Sequence, residues 1–379
     1  MNRRKRRVAV ITGTRAEYGL LASPMRAIAE HSKLDLQLVV CGMHLLRKFG
    51  YTIADVIRDG WRIDARVRMQ SGSDGPATQA EGLAAGVAGI ARFLERAGTD
   101  IVLILGDRIE AFAGAVAGFT TGRIVAHIHG GDVAPGHLDD GLRHSITKLA
   151  HIHLAATKDA ARRILRMGER SEHVHVVGAP GLDRLFELAA ASGRRAARSN
   201  RALVVQHPCG RSPARERRTM SAILRSVRSA GLDVVVLYPN SDRGHTGIIE
   251  AIESVPRWRA SGSLRVVRSL PRDDYLLLLI TARVLVGNSS SGIIEAGAAG
   301  VPVVNVGRRQ QGRLRNGPHV VDCDETCDAI RRALGRALRL GPRIVRRSAY
   351  GRGGSGRRIA AILADTPLSD ALCCKQITY

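Results

Sequence analysis

The sequence predicts an α/β protein made of two Rossmann-like, doubly wound domains. Three observations carry that expectation. Short unbroken apolar runs, each suited to a strand buried on both faces, recur at 8–11, 36–40, 100–105, 203–206, 233–238 and 284–286. Segments of helical period separate them, at 20–30, 78–97, 109–119 and 214–230. Glycine, serine and charged residues collect just after the strands, where such folds bind ligands.

Composition agrees. A chain of 379 residues with 45% hydrophobic content suits two domains of ordinary size. Aromatics are only 3%, so Ala, Val, Leu and Ile must build the cores. No apolar run approaches the roughly 20 residues of a membrane span, so no membrane partner is expected. The basic residues 3–7 followed by the apolar 8–11 imitate a signal peptide. The apolar part is too short and runs into a functional-looking turn, so it is read as a strand. Cys41, Cys209, Cys323, Cys327, Cys373 and Cys374 show neither disulfide nor zinc spacing, which fits a reducing cytoplasm. The net charge of +24 suggests nucleic acid at first sight. Yet the basic residues are nearly all Arg, are scattered over 194–201, 215–218 and 346–352, and lack interleaved aromatics. An attraction for anionic small ligands is expected instead, with no nucleic-acid partner.

Taken in order, strand 8–11 leads through Thr12 into GTRAEYG (13–19) and helix 20–30. The turn is not GxGxxG, so a dinucleotide fingerprint is absent. Arg15 lies where a ligand would sit, outside the carboxyl end of a parallel strand, or is a solvated loop arginine. Strand 36–40 and a short helix at 44–49 follow, then a Gly- and Asp-bearing stretch, 60–75, read as a loop over the site. After helix 78–97, strand 100–105 ends in Gly106-Asp107-Arg108. Asp107 is placed for catalysis, for capping helix 109–119, or for both.

Strand 123–127 opens the densest polar segment, 127–153, which holds six of the 13 histidines. His127 and His129, at i and i+2 on a strand, would point the same way and with Asp132 could hold one metal ion. Against that, Asp140, His144, Thr147, Lys148 and His151 continue along one helix face, and lysine is a poor neighbour for metal ligands. A substrate-lining face without metal is preferred, with Asp139 as a capping residue in the bland alternative. Segments 152–155, 158–167 and 173–177 add a strand, a helix and a strand. A break at 178–181, a helix at 182–191 and the Arg-rich 192–200 close a first domain, 1–190.

The second domain, 201–379, repeats the alternation. Strand 203–206 ends in His207-Pro208, and helix 214–230 follows. Strand 233–238 ends in Pro239-Asn240, so Asn240 joins the candidate binding residues. Strand 264–267 and helix 273–281 lead to 285–313, LVGNSSSGIIEAGAAGVPVVNVGRRQQGR. Strand, small turn and helix N-terminus is a phosphate-binding geometry, because free N–H groups and the helix dipole favour negative charge. Ser289, Ser290 and Ser291 add hydroxyl donors, and Arg308, Arg309 and Arg313 add charge. The bland alternative is a Ser-rich helix cap. Helix 326–338, a basic flexible 341–356, helix 357–364 and a loose tail end the chain.

The pieces GTRAEYGLL, ILGDRIEA, HIHGGD with DDGLRHSITKLAHIH, and GNSSSGIIEAGAAGVPVVNVGRRQQGR run in order from residue 8 to 313. They resemble the hydrolysing UDP-N-acetylglucosamine 2-epimerases, which feed sialic acid and related nonulosonic acids. The resemblance implies two Rossmann-like domains facing a cleft, of the glycosyltransferase-B type, acting without NAD or another cofactor. A homo-oligomer, dimer or tetramer, is expected. The implied reaction is anti elimination of UDP to 2-acetamidoglucal, then hydration to N-acetylmannosamine. It needs a base, an acid and donors aimed at the leaving diphosphate.

By the same resemblance, Arg15 is the phosphate-side arginine and Asp107 the carboxylate of the GD motif. Asp132 and Asp139 hold further acidic positions, and Arg143, with His144 beside it, lines the substrate. His207 lies near the phosphates. Ser289, Ser290 and Glu295 meet diphosphate and ribose, and Arg309 is the arginine of the RQ motif. His129 marks the hydrolysing branch, since non-hydrolysing relatives carry Glu there. Asp132 replaces the branch's more frequent Glu. The sugar stays open between N-acetylglucosamine and a 2,4-diacetamido-trideoxyhexose. A non-hydrolysing epimerase, a glycosyltransferase on this fold and a metallohydrolase are the competing readings.

Overall fold

The computed structural model describes residues 4–47, 50–70, 76–133, 138–191, 199–240, 242, 244–268, 270–340 and 348–378. The chain forms two compact units. One is Met1–Asp183 together with Gly353–Tyr379, and the other is Arg184–Arg352.

The first unit holds a seven-stranded parallel sheet. Its strands are β1 (Arg6–Thr12), β2 (Leu34–Cys41), β3 (Ala65–Val67), β4 (Ile101–Leu105), β5 (Ile124–Ile128), β6 (Ile152–Ala155) and β7 (Val174–Val176). Their order is β3-β2-β1-β4-β5-β6-β7. Helices cover both faces, which is why β1 and β4 read as continuous apolar runs. Val8 and Val10 enter one core with Leu21, Met25 and Ile28 of helix Arg15–Glu30. Ala9 and Ile11 enter the opposite core with Ile90 and Leu94 of helix Pro76–Ala97. Strand β3 falls in the stretch 60–75 that was expected to be only a loop; its three residues pair with Val39, Val40 and Cys41. Residues 71–75, in the same stretch, lie outside the described residues.

The second unit holds a six-stranded parallel sheet. Its strands are β8 (Arg201–Val205), β9 (Asp233–Leu237), β10 (Leu264–Val267), β11 (Val284–Gly287), β12 (Val303–Val306) and β13 (Val320–Cys323), in the order β10-β9-β8-β11-β12-β13. Strand β13 was not expected, because VVDC is short and half-buried.

The expected second domain, 201–379, is corrected at its far end. Gly353–Tyr379 belongs to the first unit. Helix Ser355–Asp365 inserts Ile359, Ala360 and Leu363 into the core beside Leu21, Met25 and Ile28. Gly356 permits that approach, since a Cβ there would lie 2.3 Å from Ser23 Oγ. Arg6 of β1 donates to the carbonyls of Leu363 (2.8 Å) and Thr366 (2.6 Å). The tail is likewise structured: Thr378 N donates to the Gly168 carbonyl at 3.2 Å.

In each sheet the strand order reverses direction once, between β1 and β4 and between β8 and β11. Crevices at such switch points, outside the strand carboxyl ends, are where doubly wound sheets bind ligands. Among the described residues no helix is long and apolar enough to cross a membrane.

Candidate functional site

In the first unit, the residues following β1, β4 and β5 supply most of the expected acid–base set. Arg143, on helix Leu138–Leu149, is only 2% exposed. A buried guanidinium must be satisfied by carboxylates or carbonyls. It forms a close ion pair with Asp107, just past β4. From Nη1 it donates to the Asp132 backbone carbonyl at 2.9 Å and to Asp140 Oδ1 at 3.1 Å. One cation therefore ties the ends of β4 and β5 to the helix. Asp139 belongs to that helix, and its side chain lies outside the described residues. His144 is half-buried next along the helix.

His129 follows β5 in the left-handed region, at φ 65°. That turn takes it off the strand, so the expectation that His127 and His129 point the same way fails. His129 Nδ1 sits 3.0 Å from Asp132 Oδ2. His127 instead donates from Nε2 to the Gly106 carbonyl at 2.7 Å. Burial pushes its pKa down to about 3, so it is a neutral structural group. Among the described residues, no cluster of three or more His, Cys, Asp or Glu side chains could hold a metal ion.

Arg15 is the first residue of helix Arg15–Glu30, with its Nε 3.5 Å from Asp55 Oδ2. Beneath it lies a buried acidic pair that motif reading missed. Glu17 accepts from the backbone N–H groups of Gly13 and, at 3.1 Å, Thr14. Glu110 is fully buried against Gly13 and Gly42 and accepts from Gln70 Nε2 at 3.2 Å. Burial first, then the neighbouring Glu110, raises the Glu17 pKa to about 7. The Thr14-x-x-Glu17 spacing is a helix-start signature that could have flagged Glu17.

In the second unit the expected succession of strand, small turn and helix is present, with a shorter turn than expected, since the helix starts at Ser290. Gly287 ends β11 at φ 139°, and a Cβ there would lie 2.1 Å from the Val205 carbonyl oxygen. Only glycine lets β11 and the end of β8 come so close. The next residue, Asn288, was not singled out, yet it organises the crevice. It accepts from His207 N at 2.7 Å and donates to the His207 carbonyl at 2.8 Å. Its own carbonyl accepts from Gln310 Nε2 at 2.9 Å and Arg309 Nη1 at 3.3 Å. Arg309 and His207 are thus brought together, while Arg308 is exposed.

His207 Nδ1 accepts the Asn240 N–H at 3.2 Å, and Asn240 Nδ2 donates to Asp242 Oδ2 at 2.6 Å. Burial, then Arg309, lowers the His207 pKa to about 3. The neutral ring accepts at Nδ1, so its proton is on Nε2, ready to donate.

Ser289 is 8% exposed and accepts from Ser291 N at 3.3 Å; Ser290 begins the following helix. That helix carries a π-helical turn, Gly292–Ala296, a distortion common at functional sites. It aims Glu295 at two partners: Arg272 closely on one oxygen, and Ser291 Oγ at 2.5 Å on the other. Tyr275 OH meets the same Ser291 hydroxyl. Glu295 is therefore braced by residues of the preceding helix, Arg272–Thr281, which sequence reading left out.

The family model described as UDP-N-acetylglucosamine 2-epimerase matches residues 26–364. A Legionella pneumophila protein named UDP-N,N'-diacetylbacillosamine 2-epimerase (hydrolyzing) is 32% identical, over 99% of this chain and 100% of its own length. A Neisseria meningitidis UDP-N-acetylglucosamine 2-epimerase is 32% identical, over 89% of this chain and 88% of its own. In fold, the chain superposes on the crystal structure of the Neisseria meningitidis UDP-GlcNAc 2-epimerase bound to UDP-GlcNAc with a TM-score of 0.77. That match has 16% identity and covers 95% of this chain and all of the other. Two doubly wound sheets with polar residues gathered at both switch points thus agree with sequence similarity along nearly the whole chain, and the protein belongs to the UDP-N-acetylglucosamine 2-epimerase family of enzymes.

Proposed function

We propose that this enzyme is a hydrolysing UDP-sugar 2-epimerase. The observation that carries the reading is that buried Arg143 joins the Asp107 carboxylate to the backbone of Asp132, whose own carboxylate holds His129, so that acid–base groups collect at the ends of two strands without a nicotinamide fingerprint. A base takes the proton from carbon 2, the bond from carbon 1 to the diphosphate oxygen breaks, and UDP leaves with the electron pair. Water then adds to the glycal, its oxygen to carbon 1 and a proton to carbon 2 from the opposite side. Asp132 orients His129 for proton transfer, and Asp107 and Asp139 supply the remaining carboxyl chemistry. Arg15 serves the phosphate side, and Arg143, with His144 beside it, lines the sugar.

The second unit holds the leaving group. Ser289, Ser290, Arg309 and the Nε2–H of His207 donate to the diphosphate. Asn240 backs His207, and Glu295 accepts from the ribose hydroxyls. UDP-N-acetylglucosamine is the first substrate to test. A second reading, a UDP-2,4-diacetamido-trideoxyhexose, is favoured by the name of the Legionella relative, a UDP-N,N'-diacetylbacillosamine 2-epimerase.

Incubation of both UDP-sugars in heavy water, followed by mass spectrometry, tests the reaction. Free UDP together with a free 2-epimerised sugar bearing deuterium at carbon 2 is expected. A nucleotide-bound epimer would point to the non-hydrolysing reaction, and a product without deuterium would refute the elimination route.

A further inference from the structure

The C-terminal tail makes a contact that the proposed chemistry does not use. Helix Leu138–Leu149 carries Asp139, Arg143 and His144 within its first seven residues. Its last carbonyls are met by Lys375, from the opposite end of the chain. Lys375 Nζ donates closely to the Ala150 carbonyl and lies 3.4 Å from that of Thr147. Thr147 is fully buried and donates from Oγ1 to the Arg143 carbonyl at 3.0 Å.

The same ammonium pairs with Glu169 Oε2 at 2.5 Å. Glu169, 5% exposed, also takes Lys148 Nζ at 2.7 Å on its other oxygen, and its Oε2 lies 3.0 Å from His153 Nε2. Lys148 lies on the same helix and donates to the Met167 carbonyl at 3.0 Å. The tail is held in place independently, by Thr378 N on the Gly168 carbonyl and Arg170 Nη2 on Gln376 Oε1 at 2.6 Å.

A cation on the last turn of a helix satisfies orphan carbonyls and complements the negative end of the dipole. Here that cation comes from about 225 residues away, and the helix it caps grips Asp107 through Arg143. We infer that Lys375 is a positioning residue for the proposed reaction: the tail sets the axial placement of the helix that delivers Arg143 to Asp107. This inference rests on the epimerase reading for its kinetic arm only.

The test uses the full chain with Lys375→Met and Lys375→Arg. The methionine variant leaves Glu169 paired with Lys148 and His153, so no buried carboxylate is stranded and the fold is retained. Hydrogen exchange of the amides of 143–149 is expected to rise about tenfold in Lys375→Met, the loss of one charge-assisted cap. Exchange in helix Pro213–Ser229 of the second unit should not change. UDP release should show kcat lowered about tenfold with KM within about twofold, since misplacement acts on the transition state more than on binding. Lys375→Arg, which keeps the donor and charge, should recover most of both. Unchanged exchange overturns the inference, and so does faster exchange with an unaltered kcat. If the unmodified chain turns over no UDP-sugar, the functional reading fails, while the exchange arm still decides whether the tail orders this helix.

Discussion

Replacing Glu17 by glutamine isolates the cost of keeping a carboxyl beside Glu110 in a dry site. Glutamine keeps the carbonyl oxygen that accepts from Gly13 and Thr14, and removes the titration. In the folded chain the Glu17 pKa is raised from 4.5 to about 7 by burial and then by Glu110. The raised value fixes the sign. Below pH 4.5 the group is protonated in both states and contributes no penalty. As pH rises from 4.5 to about 7 the unfolded chain releases this proton first, so stability falls until the folded group also ionises. At 1.36 kcal/mol per unit, the shift corresponds to about 3 kcal/mol. For a unit of this size that is a fall of about 6–12 °C in its melting temperature. Calorimetric scans of both proteins from pH 4.5 to 8 provide the measurement. Titrations common to both, including those of the buried histidines, cancel in the difference. The wild-type transition of the first unit should fall relative to Glu17→Gln across this window and then run parallel. Curves parallel throughout would show that Glu17 does not hold a proton in the folded state.

Other consequences follow from the same contacts. Gly287→Ala places a methyl group 2.1 Å from the Val205 carbonyl at a φ of 139°. It should destabilise the second unit by at least about 3 kcal/mol and abolish UDP binding, read by calorimetry and titration with UDP. Arg143→Met leaves Asp107 without its buried partner, so kcat should fall by about 10²-fold or more while UDP affinity stays within about twofold. The folded pKa values of His127 and His207 are lowered from 6.5 to about 3 by burial. Their contribution is complete above pH 6.5 and is lost as pH falls towards 3, because the unfolded chain takes up the protons first. Acid-unfolding curves should therefore be shallower for His207→Gln than for the natural chain.

The fold was legible because its strands are buried on both faces. Runs such as VAVI and IVLIL cannot be amphipathic helices of useful length, and the small-residue turns after them fixed the connection type. The strand, turn and helix around Gly287 were legible too, since Gly287 and the serines are local signals. What was missed depends on partners distant in sequence. Asn288 looked like one more small polar residue until β8 and β11 were set side by side. Arg272 and Tyr275 sit in an ordinary helix pattern, and only the π-helical turn at 292–296 brings Glu295 to them. Glu110 reads as a first-turn acid of a helix, but its neighbours are the ends of β1, β2 and β3. Strand β13 and the ordered tail escaped because half-buried or short segments carry little periodicity.

The return of the last residues to the first unit also orders events in time. That unit is discontinuous, and the whole of Arg184–Arg352 is inserted within it. During synthesis the ribosome completes the inserted unit before it emits helix Ser355–Asp365, whose Ile359 and Leu363 fill the core under β1. Until then Leu21, Met25 and Ile28 of the first helix have one face without its apolar cover. The N-terminal half of the chain therefore stays incompletely packed until that helix has emerged. A truncation that removes Ser355–Asp365 would therefore act at the other end of the sequence, stripping apolar cover from Leu21, Met25 and Ile28 while leaving the core of the inserted unit untouched.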